Sequence, residues 1–333
     1  MKRKFLNVIS FCMAFVFLPV FSAIPVKKSE KISLVSIPEF NIQFDGTEPA
    51  YEENSPSLPE HYKILDVKTG EVLNLTPEEY IIGVVCAEMP ASFEEEALKA
   101  QAVAAHTYAL RQMGIALKNE DESLQGAFLS TDSAKFQAYL SKEERKSLYG
   151  NNFENYEDKI SRCVLAVINE ILLYQDEPIV AAFHSISSGK TESSKDIWGK
   201  ALPYLVSVES KSDSQNPKGQ TEITLSKQEA KKILKTEASK NLIKIISRTK
   251  SGTVLEAKTQ DETLSGDDIR TLFNLPSANF SVKETADSVI FTCYGYGHGV
   301  GMSQYGANDM AKEEKNYKQI LSHYYPNATL KTI

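Results

Sequence analysis

"TPEEYIIGVVCAEMPASFEEEALKAQAVAAHTYAL" (residues 76–110) carries the start and stop signals of two consecutive helices. Thr76 is suited to cap the first helix, and Glu79, three residues later, completes a capping box. Pro90 disfavours helical geometry at the residue before it. The first helix is therefore predicted to end near Glu88.

The second helix follows almost immediately. Ser92 is predicted to cap it, with Glu95 reaching back to complete a second box. The helix is predicted to run from Phe93 to about Met113. It is rich in alanine, and small side chains allow neighbouring elements to pack closely against it.

The rest of the chain predicts an α+β fold. Residues 114–158 are charged and weakly periodic, which favours short helices and loops. Residues 166–184 read as the end of a helix, a strand, a turn around Gln175–Pro178 and a second strand. Residues 252–273 predict two strands and a short helix, and residues 278–295 predict a hairpin. Helices early in the domain and β-hairpins in its second half argue against alternating βαβ units.

The N-terminus predicts a membrane anchor. Residues 1–4 form a basic tip, and the apolar stretch 5–26 has the roughly 20 residues that a spanning helix needs. Basic residues ahead of the span favour an orientation with the following chain outside the cytoplasm. Residues 27–60 then read as a tether and residues 61–333 as one domain. A cleaved signal peptide is the alternative, with a weak cleavage site at Val20–Ser22.

Composition narrows the function classes. The 333 residues carry a net charge of -7, with 42% apolar and 24% charged residues, so no nucleic-acid partner is expected.

Of the four cysteines, Cys12 falls in the apolar stretch. The other cysteines, Cys86, Cys163 and Cys293, show neither a zinc-binding nor a disulfide spacing, which predicts buried free thiols.

Glu88 is the first candidate for chemistry. The negative end of its helix and its apolar neighbours both favour the neutral acid, as a general acid requires. A structural hydrogen bond or salt bridge is the alternative. Lys99 and His106 share one face of the second helix with Glu95, and that face could border Glu88. A solvated polar stripe, or a core histidine at position 106, would explain the same spacing.

"AAFHSISSGKTESSKDIWG" (residues 181–199) combines polar groups with the only tryptophan in the chain. Hydroxyl-binding groups beside an aromatic face suit a sugar. A serine-rich turn is the structural alternative. A Ser–His hydrolase is less favoured, because no nucleophile elbow is present. The sugar-binding candidates are His184, Ser187, Ser188, Lys190 and Trp198.

"GYGHGVGMSQYGAN" (residues 295–308) is dense in glycine, which lets a backbone pass close to a ligand or to another segment. His298, Gln304 and Tyr305 supply its specific groups. A nucleotide loop is not favoured, because no βαβ unit surrounds the segment. A metal site is not favoured either, because His298 has no second ligand at a suitable spacing. A purely structural loop remains the alternative.

Four ordered motifs resemble the stage II sporulation protein D family of endospore-forming bacteria. They are the opening stretch, "AAFHSISSGKTESSKDIWGKALPYLVSV", "LSGDDIRTLFNLPS" and "GYGHGVGMSQYGA". The resemblance covers roughly Lys63 to the C-terminus. A related branch of the family enhances cell-wall amidases.

The resemblance implies a lytic transglycosylase of peptidoglycan, anchored in the mother-cell membrane and acting during engulfment of the forespore. Its substrate would be glycan strands stripped of stem peptides. Its partners would be stage II sporulation proteins P and M, and no cofactor is implied. The catalytic glutamate of the family corresponds to Glu88, which would act first as acid and then as base.

The sequence departs from the family pattern at three places. His106 stands where relatives usually have arginine, and Val206 where many have lysine, whereas the neighbouring Tyr204 is retained. "STDSAKFQAYL" (residues 130–140) lacks the ligands with which some members bind zinc, so no metal is predicted. Two hypotheses follow: an active transglycosylase, and a glycan-binding activator of a wall amidase.

Overall fold

The computed structural model describes residues 57–238, 240–260 and 262–333. Over these residues the predicted α+β class is confirmed, since helices are combined with small sheets of two or three strands. The predicted anchor at residues 5–26 lies outside the described residues. None of the helices in the described part is both long and apolar enough to cross a membrane.

The first half of the domain is mainly helical, but it opens with a strand hairpin that the sequence analysis missed. Its elements are β1 (Tyr62–Asp66), β2 (Glu71–Leu75), α1 (Pro77–Glu88), α2 (Glu95–Lys118), β3 (Leu129–Ser130), α3 (Lys142–Tyr149), α4 (Phe153–Leu165), β4 (Glu170–Tyr174), β5 (Glu177–Pro178), β6 (Phe183–His184) and α5 (Ser194–Trp198).

The second half contains the predicted hairpins and closes with two helices and a strand. Its elements are α6 (Lys211–Gln215), β7 (Gln220–Ser226), α7 (Lys227–Ile233), β8 (Lys244–Arg248), β9 (Val254–Lys258), β10 (Thr263–Ser265), α8 (Gly266–Phe273), β11 (Phe280–Glu284), β12 (Ser288–Tyr294), β13 (Met302–Ser303), α9 (Gln304–Lys312), α10 (Tyr317–Tyr324) and β14 (Thr329–Thr332).

The strands form several small sheets. β1 pairs antiparallel with β2 and parallel with β3, and β4 lies between β14 and β5. β12 lies between β11 and β7, and β9 lies between β10 and β8, all antiparallel. β6 and β13 pair in parallel and bring residues 183–184 beside residues 302–303. This last pair joins two of the motifs that the sequence separates by more than a hundred positions.

Two hydrophobic cores organise the described residues. The larger core is built around the alanine face of α2, with α1, α4, β4 and α10 packed on it. The second core belongs to residues 220–294, where α7 and α8 cover the sheets. This inserted module closes at its base, because the Gly295 amide donates to the Gly219 carbonyl at 2.8 Å.

The end of α1 agrees with the prediction. The capping box of Thr76 and Glu79 is formed, and the last helical residue is Glu88. Met89 is extended, with φ of -118° and ψ of 141°, as expected for a residue before proline. Glu88 therefore stands where the chain leaves the helix.

The predicted start of the second helix is wrong. α2 begins at Glu95, its N-cap is Glu94, and Ser92 is not its cap. The reason is a tertiary contact, because Asn308 Oδ1 accepts the Glu94 amide at 2.8 Å and takes the role of a local cap. The helix also continues to Lys118, beyond its predicted end.

The predicted strand pair over residues 166–184 is only partly formed. β4 and the turn are present, with Gln175 and Asp176 both at positive φ. The returning strand is limited to the two residues of β5. The chain then leaves this sheet and forms β6 in another one. The described cysteines Cys86, Cys163 and Cys293 are buried and free, which confirms the prediction for them.

Candidate functional site

Glu88 is held by two donors that come from distant parts of the chain. The Ala138 amide donates to Glu88 Oε1 at 2.8 Å. The side chain of Gln304, the first residue of α9, forms a second hydrogen bond to the same carboxyl group. The Glu88 side chain remains partly exposed. It is therefore both anchored and accessible.

The surroundings of Glu88 hold its acidity near neutral pH. Burial among protein atoms raises the pKa of its carboxyl group from 4.5 to about 7, while the hydrogen bonds from Ala138 and Gln304 act in the opposite direction. Near neutral pH the group is thus present both as the acid and as the carboxylate. A group with this balance can give up a proton and take one back.

The face of α2 that reaches this site carries Gln101. Gln304 Nε2 donates to Gln101 Oε1 at 3.5 Å, and Gln101 is fully buried. The hydroxyls of Tyr80 and Tyr108 lie close enough that the charge of Glu88 contributes to raising their pKa values, after burial as the main cause. Amides and neutral hydroxyls therefore surround the carboxyl group.

Three of the predicted sugar-binding residues form one cluster of mutually tilted rings. The rings of His184 and His298 are 5.8 Å apart, and those of His298 and Trp198 are 5.6 Å apart. His184 Nδ1 lies 3.2 Å from the Val300 carbonyl, and His298 Nδ1 accepts the Val300 amide at 3.0 Å. Burial lowers the pKa of His184 to about 4 and that of His298 well below its usual value. Both imidazoles are neutral at neutral pH.

The three polar candidates beside this ring cluster make separate contacts. Ser187 is buried, and its hydroxyl donates to Asp213 Oδ2 at 2.6 Å. Ser188 donates to the Ser251 carbonyl at 3.2 Å, which ties it to the inserted module. Lys190 pairs with Glu209 at 3.7 Å and lines a small cavity together with Ser187, Ser188 and His298. Glu88 is not among the residues that line this cavity.

The two tyrosine candidates are separated by their environments. Tyr204 is buried, and its hydroxyl accepts the Val180 amide at 3.3 Å. Tyr305 follows Gln304 directly and is mostly buried, and its hydroxyl accepts a hydrogen bond from Lys218 Nζ at 2.9 Å. Only Tyr305 therefore adjoins the residue that contacts Glu88.

The glycines of residues 295–301 serve a close approach between two chain segments. Gly301 has φ of 76°, and a side chain there would collide with the carbonyl of Ala182. Gly295 has φ of 78°, and a Cβ there would lie 2.7 Å from the Ile186 carbonyl. Close packing of two backbone segments, the structural alternative for this loop, therefore explains these two glycines. The loop is followed by β13 and then by Gln304, whose side chain is hydrogen-bonded to Glu88.

Comparison with known proteins identifies the family. The family described as "SpoIID: Stage II sporulation protein" matches residues 66–174. Stage II sporulation protein D of Bacillus subtilis is 40% identical over 284 residues, which cover 84% of this chain and 82% of that protein. The protein of the same name from Bacillus amyloliquefaciens is 38% identical over 84% of this chain and 80% of its own length. The chain belongs to the stage II sporulation protein D family.

A more distant relative carries a different name. The amidase enhancer of Bacillus subtilis is 28% identical over 307 residues, which cover 74% of this chain and 40% of that protein. The resemblance to the stage II sporulation protein D family, recognised from four motifs, is thereby confirmed.

The positions at which this member departs from the family pattern are not cationic. His106 is buried in the core, edge-on to the Tyr62 ring at 6.2 Å, and burial lowers its pKa to about 4. Val206 is exposed and apolar. Lys99 pairs with Glu96 at 2.6 Å on its own helix. None of these three supplies a free positive charge beside Glu88.

The segment "STDSAKFQAYL" (residues 130–140) contributes to the Glu88 site. In the described part of the chain, no group of three or more His, Cys, Asp or Glu side chains is placed to hold a metal ion. The segment supplies the Ala138 amide to Glu88, and Gln137 Nε2 donates to the Ala105 carbonyl at 3.3 Å. Its backbone helps to set the acidity of the carboxyl group.

Sequence reasoning missed Gln101 and Ala138. The signal for Gln101 was an amide side chain within a run of alanine and valine, where a polar group needs a partner. Ala138 acts through its backbone, so no side-chain pattern could have indicated it.

Proposed function

We propose that this protein is a membrane-anchored lytic transglycosylase that cleaves the bond between N-acetylmuramic acid and N-acetylglucosamine in peptidoglycan strands without stem peptides. Membership of the stage II sporulation protein D family supports a role in cell-wall remodelling during sporulation. The observation that carries the proposal is Glu88, a partly exposed carboxyl group with a pKa of about 7 and two anchoring donors.

The reaction needs one group that alternates between acid and base. Neutral Glu88 gives its proton to the glycosidic oxygen as the bond to the anomeric carbon breaks. The resulting carboxylate takes the proton of the 6-hydroxyl of the same muramic acid residue, and that oxygen bonds to the anomeric carbon. The product is a 1,6-anhydro end, and Glu88 is neutral again. No water is consumed, so a second carboxylate to activate water is unnecessary.

The cellular setting is part of the same proposal. The apolar stretch at residues 5–26 would anchor the chain, with the domain on the extracytoplasmic side of the engulfing mother-cell membrane. Stage II sporulation proteins P and M would be its partners, the first removing stem peptides and the second holding the assembly together.

Mass spectrometry of the products tests the proposal. Peptide-free glycan strands are incubated with the protein, with Glu88→Gln, and with the control Glu94→Gln, which alters an exposed carboxylate beside the same junction. Products lighter than hydrolytic ones by one water are expected from the protein and from Glu94→Gln only. Full activity in Glu88→Gln would overturn the assignment.

A glycan-binding activator of a wall amidase is the second candidate. It is favoured by the similarity to the amidase enhancer and by the neutral residues at positions 106 and 206. This function predicts that the protein leaves purified strands intact but accelerates a purified amidase. Because this function needs no proton transfer by Glu88, Glu88→Gln would accelerate the amidase as the unaltered protein does.

A further inference from the structure

Lys218 provides a cation that is joined to the Glu88 site through Tyr305, the residue after Gln304. Lys218 Nζ donates to the Tyr305 hydroxyl at 2.9 Å and lies 5.4 Å from the centre of the Tyr305 ring. Among the residues that the structure describes, no carboxylate forms an ion pair with it. The other nearby amines are occupied, since Lys99 pairs with Glu96 and Lys159 donates to the carbonyls of residues 91 and 93.

The backbone beneath Lys218 is also fixed. It belongs to a single 3-10 turn, Pro217–Gly219, where Asn216 Oδ1 accepts the Lys218 amide at 3.0 Å. The neighbouring Gly219 carbonyl accepts the Gly295 amide and closes the base of the inserted module. With the backbone and the ammonium group both held, binding a ligand costs this lysine less conformational entropy than a mobile surface lysine.

A continuous chain of contacts links Lys218 to Glu88. Gln304 bonds to Glu88, Tyr305 follows it in α9, and Lys218 is bound to Tyr305. The Phe93 ring, in the loop that follows Glu88, packs edge-on against the Tyr305 ring at 5.0 Å. This chain of contacts therefore leads from the acid to a positive charge.

The proposed substrate carries a matching negative charge. Each muramic acid residue has a lactyl ether, and its carboxylate is free once the stem peptide has been removed, whereas in intact peptidoglycan it is an amide. An ammonium group binds a carboxylate through charge-assisted hydrogen bonds but gains far less from a neutral amide.

Resting on the proposed function, we infer that Lys218 binds the lactyl carboxylate of a muramic acid residue in the strand, and that Tyr305 is its positioning residue. The pair replaces the cations that are missing at positions 106 and 206. It gives the site a chemical reason to prefer strands without stem peptides.

Binding measurements test this independently of catalysis. The full chain with Glu88→Gln is titrated with peptide-free strands and with the same strands whose carboxylates have been converted to methylamides. We expect tighter binding of the carboxylate form. Adding Lys218→Met should weaken that binding by about twofold to fivefold, the range for an exposed ion pair, and leave methylamide binding unchanged.

Two further variants test the role of the Tyr305 hydroxyl and provide a lysine control. Tyr305→Phe keeps the ring and removes the hydroxyl, so it should reduce the preference for carboxylate without affecting methylamide strands. Lys211→Met, a nearby exposed lysine, should leave the preference intact. Equal losses on both strands with Lys218→Met would show a structural role and overturn the inference, as would an unaltered preference. Binding is measured with a variant that does not need to cleave the strand. The binding result can therefore be interpreted even if the protein shows no transglycosylase activity.

Discussion

Replacing Glu88 with glutamine should stabilise the protein at neutral and alkaline pH. Folding raises the pKa of this carboxyl group from 4.5 to about 7, chiefly through burial. Above pH 7 the folded state must carry a partly buried carboxylate, whereas the unfolded chain ionises at no cost. Below pH 4.5 the group is protonated in both states. The free energy of unfolding therefore falls as the pH rises from 4.5 to 7. The Glu88→Gln variant does not show this fall, because glutamine cannot ionise.

The size of the effect follows from the shift. At 1.36 kcal/mol for each pKa unit, a rise from 4.5 to about 7 corresponds to about 3 kcal/mol. Urea unfolding of the protein and of Glu88→Gln from pH 4 to pH 8 should give a stability difference that grows from near zero to about this value in favour of the variant. A difference that stays flat across this range would refute the reasoning.

The comparison must be made between variants. The buried histidines His106 and His184, with pKa values lowered to about 4, destabilise the folded state as the pH falls from 6.5 to 4. Their effect opposes that of Glu88 over much of the same range and can mask it in the unaltered protein. It cancels in the difference from Glu88→Gln. Glu94→Gln, at an exposed carboxylate, is the control and should show no comparable trend.

Three more outcomes are expected. The kcat/KM for strand cleavage should fall above about pH 7, because Glu88 must begin the reaction as the acid; a rate that keeps rising to pH 9 would contradict this. In Gln304→Leu the falling limb should move to higher pH and the rate should drop, because the lost donor favoured the carboxylate; an unmoved limb would exclude this role. Thr107→Val should cost about 1–3 kcal/mol in urea unfolding, because the Thr107 hydroxyl accepts the buried Leu172 amide at 2.9 Å; an unchanged midpoint would refute this.

Local signals were sufficient where local geometry decides the structure. The capping box at Thr76 and the proline after Met89 fixed both ends of α1, and with them the position of Glu88. The same kind of signal failed at Ser92, because the side chain of Asn308, which is 214 residues from Glu94, caps α2 instead. A capping box is worth only about 1 kcal/mol, so one tertiary hydrogen bond can displace it.

The composition of the site was harder to predict than its acid. Gln304 was identified from its unusual glycine-rich segment. Its contact with Gln101 was not predicted, because the two residues are 203 positions apart in the chain. The helical spacing of Lys99 and His106 was read correctly as one face of α2. The direction of that face depends on how α2 packs, which periodicity alone does not determine. Gln101, on another face, is the residue that reaches Gln304.

The acidity of Glu88 reflects two opposing influences, and both serve the proposed reaction. Burial alone would make the group so weak an acid that it would hold its proton and could not return as a base. The donors at Ala138 and Gln304 alone would keep it ionised, with no proton to give. Their balance near pH 7 keeps both forms accessible to a single residue. The site must therefore be assembled from three distant segments, because α1 supplies the acid and burial, while the other two supply the donors that offset it.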